Sequence, residues 1–132
     1  MGCKMNLLLD THTFIWWYDE QHKLSPPALA EISHPANRVF LSVASLWELQ
    51  IKISLGQFKF ADSQQTVVHE QITTNGILLL PVTFPHVLAL DNLPSHHKDP
   101  FDRLLIAQAI AENLTLVSAD RKFSAYAVNL LW

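Results

Sequence analysis

The sequence is poor in the residues that mark several common classes of protein. It holds one cysteine, Cys3, so no disulfide forms within the chain and a thiolate metal site has no partner. Its three glycines, Gly2, Gly56 and Gly76, stand far apart, and none belongs to a glycine-rich turn that cradles phosphate. The seven histidines show no paired helical spacing that would argue for zinc. Charged residues are only 16% of the chain, and nine Lys and Arg against twelve Asp and Glu leave a formal charge of -3. With no bulk basic field, any binding of nucleic acid has to be local. No apolar run approaches the roughly 20 residues that span a bilayer, and Leu7 to Leu9 is cut off at once by Asp10, which leaves no signal-peptide core. Gly2-Cys3 invites N-terminal acylation, but Asn6 stands where that signal wants Ser or Thr. These absences predict a cytoplasmic protein without membrane contact. Repeats and linker-like shifts in composition are missing too, so residues 1–132 read as one domain, and 49% hydrophobic residues suffice for its core.

What is present is an alternation of strands and helices. Asn6 to Leu9 reads as a strand that ends on Asp10 and runs straight into a helix from Thr11 to Tyr18. That helix carries Phe14, Ile15, Trp16, Trp17 and Tyr18, more apolar bulk than one buried face needs, which predicts a partner on part of it. Ser25-Pro26-Pro27 starts a second helix that stops near His34-Pro35. Arg38 to Ser42 is the second strand, followed by a helix capped by Ser42 or Ser45 and ended at Gly56. Asp62-Ser63 opens another helix, closed by Asn75-Gly76, and Ile77 to Leu80 is the third strand. A short helix from Thr83 to Leu90 and a polar loop from Asp91 to Lys98 precede a well-signed helix with Asp99 as N-cap and Pro100 in its first turn. Thr115 to Ser118 is the fourth strand, a turn surrounds Phe123, and a last strand runs through Val128 to Leu131. Strands separated by helices call for a parallel sheet with helices on both faces and a ligand site beyond the carboxyl ends of the strands.

Four acids from four segments fall on that rim: Asp10, Glu48, Asp102 and Asp120. Crowded carboxylates raise one another's pKa values unless a cation intervenes. The usual cation is Mg²⁺ or Mn²⁺, a hard ion that takes oxygen ligands and keeps waters for a phosphate substrate. Phosphodiester hydrolysis is the chemistry that follows. Each acid also has a plainer reading. Asp10 can cap the helix at Thr11, Glu48 can pair with Lys52 at i+4, Asp102 can complement a helix dipole, and Asp120 can be a turn residue. Asp99 is first of all an N-cap, with metal binding the lesser reading. Arg103 and Arg121 each follow a site acid, placed to screen the acids or grip RNA. His96-His97-Lys98 lies just before the site, as a phosphate contact or as a loop facing water.

The blocks Leu7-Leu8-Leu9-Asp10-Thr11-His12, Ser42-Val43-Ala44-Ser45-Leu46-Trp47-Glu48-Leu49, His97-Lys98-Asp99-Pro100-Phe101-Asp102-Arg103-Leu104-Leu105-Ile106-Ala107-Gln108-Ala109 and Leu116-Val117-Ser118-Ala119-Asp120 together resemble the PIN-domain proteins of the VapC toxin type. The resemblance implies a PIN-like three-layer α/β/α fold with a mostly parallel five-stranded sheet, and an endoribonuclease dependent on Mg²⁺ or Mn²⁺ that cuts single-stranded RNA. It implies a site of Asp10, Glu48, Asp102 and Asp120, supported by a hydroxyl such as Thr11 or Ser118, and a homodimer held by a cognate antitoxin. Asp99 beside Asp102 leaves open which of the two touches metal.

Other readings are weighed on particular residues. A phosphatase of the haloacid-dehalogenase type needs a second Asp two residues after the first, where this chain has His12. A phospho-receiver needs an Asp after the third strand, where Pro81-Val82 stands. A non-catalytic module whose acidic rim binds a basic partner remains the alternative to an enzyme. The Trp-rich first helix, with Trp47 and Trp132, predicts a homodimer and an antitoxin segment packed on Trp16 or Trp17.

Overall fold

Leu7, Leu8 and Leu9 are fully buried, which places Asn6–Leu9 (β1) inside a sheet covered on both faces. Side chains alternate along a strand, so Leu7 and Leu9 enter one core cluster and Leu8 the other. The computed structural model describes residues 4–96 and 98–132. The readings placed on Gly2, Cys3 and His97 lie outside the described residues.

The chain continues through Thr11–Asp19 (α1), Pro26–Ser33 (α2), Arg38–Ser42 (β2), Val43–Ser54 (α3), Gln64–Asn75 (α4), Leu78–Leu80 (β3), Phe84–Ala89 (α5), Pro100–Ala111 (α6), Thr115–Val117 (β4) and Leu130–Leu131 (β5). The sheet order is β3-β2-β1-β4-β5, and every pairing is parallel, with Leu7 opposite both Val39 and Thr115. Phe14, Ala28, Ile32, Leu49 and Val67, from α1 to α4, cover one face. Leu105, Ile106 and Ala109 of α6, with Phe123, cover the other. The expected three-layer α/β/α arrangement is thus observed, with the sheet wholly rather than mostly parallel.

The helix starts follow their local signals. Ser25 Oγ accepts from Ala28 N and Ser63 Oγ from Thr66 N. Of the two serines open for α3, Ser42 is the cap. Gly76 closes α4 at φ +67, a left-handed conformation that costs glycine least. The last strand is shorter than expected, because only Leu130 and Leu131 find partners, in Leu116 and Val117. Among the described residues no helix is long and apolar enough to cross a membrane.

Of the expected apolar surface, Trp47 and Trp132 are exposed, whereas the aromatics of α1 are not. Trp16, Trp17 and Tyr18 are half-buried and pack on the core, and Trp17 Nε1 donates to Gln71 Oε1 at 3.1 Å. The most exposed apolar side chains lie elsewhere: Phe84 (72%) and Leu88 of α5, Leu55 just past α3, and Trp47 (61%) on α3. Helix α1 packs against α3 and reaches α4 through the Trp17–Gln71 bond.

Candidate active site

The chain runs from β1 outward to β2 and β3, then returns to the other side of β1 with β4. That reversal leaves a crevice at the carboxyl ends of β1 and β4. Asp10 follows β1 and Ser118 follows β4, so both fall there. Asp10 N donates to Val117 O at 3.1 Å, and Thr13 Oγ1 donates to the same carbonyl at 3.0 Å. The start of α1 is thereby fixed to the end of β4.

Both oxygens of the Asp10 carboxyl are held. Oδ1 accepts from Thr13 N at 2.7 Å and caps α1; Oδ2 accepts from Ser118 Oγ at 2.5 Å. The cap reading and the site reading are therefore compatible, since each carboxylate oxygen has a lone pair left for another partner. Burial raises the Asp10 pKa above its ordinary value; the hydrogen bonds from Ser118 and Thr13 and the charge of His12 oppose that rise. Ser118 Oγ also accepts from Asp120 N at 3.0 Å. One hydroxyl thus joins Asp10 to the turn that carries Asp120, whose Oδ1 accepts from Lys122 N at 2.9 Å.

Glu48 reaches the crevice from α3. Its Oε1 accepts from Thr11 Oγ1 at 2.8 Å, which stands 3.0 Å from Ser45 Oγ. Its Oε2 lies 3.3 Å from Lys52 Nζ, so the expected i+4 pair forms as well. Helix α6 begins at the same edge. Asp99 Oδ1 accepts from Phe101 N at 2.9 Å and Asp102 N at 3.0 Å, the N-cap geometry that Asp99-Pro100 predicts. Asp102 stands in the first turn. Its carboxyl is pushed up to about 7, first by burial and then by the negative charges of Asp99, Glu48, Asp10 and Asp120.

These five carboxylates line one cleft of about 460 Å³. Among the described residues the only Lys or Arg on its wall is Lys52, already committed to Glu48. A set of oxygen donors this rich in negative charge fits a hard divalent cation better than zinc or copper. Among the described residues no three acids or histidines are drawn close enough to hold an ion directly. A cation in a cleft of this volume would meet some of these acids through water.

Arg103 does not line the cleft. Its guanidinium donates to Pro94 O at 3.0 Å and Leu90 O at 3.4 Å, so it braces the loop before α6. The cleft wall also includes His12, Trp16, Lys52 and Phe123, which reading the sequence did not place there. His12 and Trp16 lie at i and i+4, one stripe of α1 beginning two residues after Asp10. That spacing was the available signal.

The PIN domain family model matches residues 7–129. The chain is 33% identical over 125 residues to Ribonuclease VapC22 of Mycobacterium tuberculosis, an alignment that covers 91% of each. Its fold is similar to the crystal structure of VapBC2 from Rickettsia felis bound to a DNA fragment from their promoter, with TM-score 0.73, 20% identity and coverage of 96% of this chain and 98% of that one. It is also similar to DNA-bound VapBC from Salmonella typhimurium, with TM-score 0.68, 17% identity and coverage of 96% and 97%.

Proposed function

This chain belongs to the PIN-domain family, and from that premise we propose that it is a divalent-metal-dependent endoribonuclease, the toxin of a toxin–antitoxin pair, that cuts single-stranded RNA in the cytoplasm. The observation that carries the reading is the gathering of Asp10, Glu48, Asp99, Asp102 and Asp120 on one cleft. The similarity to a protein named a ribonuclease supports the RNA substrate. The fold shared with VapBC toxin–antitoxin complexes supports an antitoxin partner.

Asp10 and Asp102 are the principal ligands for Mg²⁺ or Mn²⁺ in this reading, with Glu48 and Asp120 completing the set directly or through water. When bound, the ion lowers the pKa of a coordinated water and offsets the charge on the scissile phosphate. The protein's part is to hold its donors still. Ser118 and Thr13 fix the Asp10 carboxyl, so its orientation does not have to be set during each turnover. Thr11 orients Glu48, which with Asp120 accepts hydrogen bonds from the attacking water. Asp99 has two backbone N–H groups on one oxygen and serves first as the cap of α6, so this reading takes Asp102 as the direct ligand from that segment and leaves Asp99 its other oxygen for an outer role.

Cleavage of a single-stranded RNA after chelation and return of Mn²⁺ tests this. Asp10→Ala should lower the rate by on the order of a thousandfold, matching the several kcal/mol that a metal's charge contributes to the transition state. Full activity in that variant, or cleavage indifferent to metal, would overturn the assignment. Metal-independent binding of basic peptides would favour an interaction module instead.

A further inference from the structure

The acids of the cleft bring a difficulty with them. A site that repels phosphate, in a chain of net charge -3, draws little affinity for RNA from lysines and arginines. Among the described residues the only Lys or Arg on the wall is Lys52, which is paired with Glu48. A single strand offers a second source of affinity, since its unpaired bases stack on aromatic rings whatever their sequence.

The cleft has such rings. His12 and Trp16 both line it, on the same stripe of α1, with ring centroids 6.0 Å apart and planes tilted by 53°. Trp16 stands six residues beyond Asp10, about 9 Å along the helix axis at the usual rise per residue. Trp16 is half-buried and packs against the core, and Trp132 abuts it at 5.9 Å, tilted by 55°. Neither neighbour lies parallel to the indole, so neither stacks flat over it. A ring that packs against the core and also lines the cleft is held in place before a ligand arrives and spends little side-chain entropy on binding.

We propose that Trp16, with His12 beside it, is a base-stacking subsite that takes one unpaired nucleobase of the RNA strand whose phosphate lies over the acids. The subsite favours single strands, because a base in a duplex has no free face to offer. It rests on the nuclease reading for the direction in which the strand enters the cleft. Trp16 is a substrate-positioning residue and takes no part in proton transfer.

The test uses the full chain, Mg²⁺ and two single-stranded oligomers of equal length, oligoadenylate and its abasic counterpart. Wild type should bind oligoadenylate with quenching of tryptophan emission and bind the abasic oligomer roughly tenfold more weakly, the order of one stacked base. Trp16→Leu keeps apolar bulk on the core and should lose both the quenching and the preference. Its cleavage defect should lie in KM. Trp16→Phe keeps an aromatic face and should retain the preference. Cleavage by wild type without quenching, or an unchanged preference in Trp16→Leu, overturns the subsite and leaves the nuclease reading standing. Quenching and preference without any cleavage upholds the subsite and removes the nuclease. A change of oligomeric state in Trp16→Leu with KM and preference unchanged assigns the ring to a protein interface, and the proposal falls.

Discussion

At the scale of single residues, Asp102 carries the strain of the site. Its pKa of about 7 lies above the ordinary 3.8, through burial first and the charges of Asp99, Glu48, Asp10 and Asp120 after it. The folded state therefore keeps a proton that the unfolded chain releases. Stability from this group is complete below about pH 4 and is lost as pH rises toward the folded value. In metal-free protein, melting temperature should fall by about 3 °C or more between pH 5 and pH 7.5. Asp102→Asn should flatten that slope, and so should saturating Mg²⁺. A metal-free melting temperature that rises over this range in wild type, with the same slope in Asp102→Asn, would contradict the placement of Asp102 among charged neighbours.

At the scale of elements, the caps separate structural from chemical duty. Asp99→Ser keeps a side-chain acceptor at the start of α6 and removes one negative charge. It should leave stability within a few tenths of a kcal/mol, where Asp99→Ala costs about 1 kcal/mol. RNA cleavage by Asp99→Ser should stay within about tenfold of wild type, the lower end of what outer ligand-sphere changes cost. A loss in Asp99→Ser as large as in Asp102→Asn would make Asp99 a direct ligand. Element starts were legible for the same reason that these predictions are sharp. Ser25-Pro26, Ser63, Gly76 and Asp99-Pro100 each specify a local backbone conformation that few other residues satisfy. Two-residue β5 was not legible in its extent, because its pairing depends on which neighbour β4 presents. Asp10, Asp99, Asp102 and Asp120 were legible because each follows a strand or opens a helix at one edge of a parallel sheet, whereas Glu48, the sixth residue of α3, had to lean over that edge from inside its helix. His12, Trp16 and Lys52 were not, since knowing that a helical stripe faces the cleft requires the direction in which the helix leaves its strand. Arg103 is absent from the cleft wall for a related reason: its neighbour in sequence faces the cleft, but on a helix adjacent residues point about 100° apart.

For the whole molecule, the apolar surface has moved from the tryptophans of α1 to another place. Phe84, Val87 and Leu88 on α5 are 72%, 48% and 52% exposed. Leu78 and Leu79 are exposed on the neighbouring β3, which is an edge strand of the sheet. Patches of this kind on a small domain mark a protein interface, and a homodimer, the state expected from the sequence, would use this one. Phe84→Glu should shift light scattering at micromolar concentration from dimer to monomer while the fold persists. A monomeric wild type would remove the dimer. The charge of the whole chain gives no help in holding RNA, so the account depends on a cation at the acids. Titration of metal-free protein with Mn²⁺, followed by calorimetry, measures that directly. The prediction is saturable binding that Asp102→Asn weakens by at least about tenfold; equal affinity in the two proteins, or none in either, would contradict it.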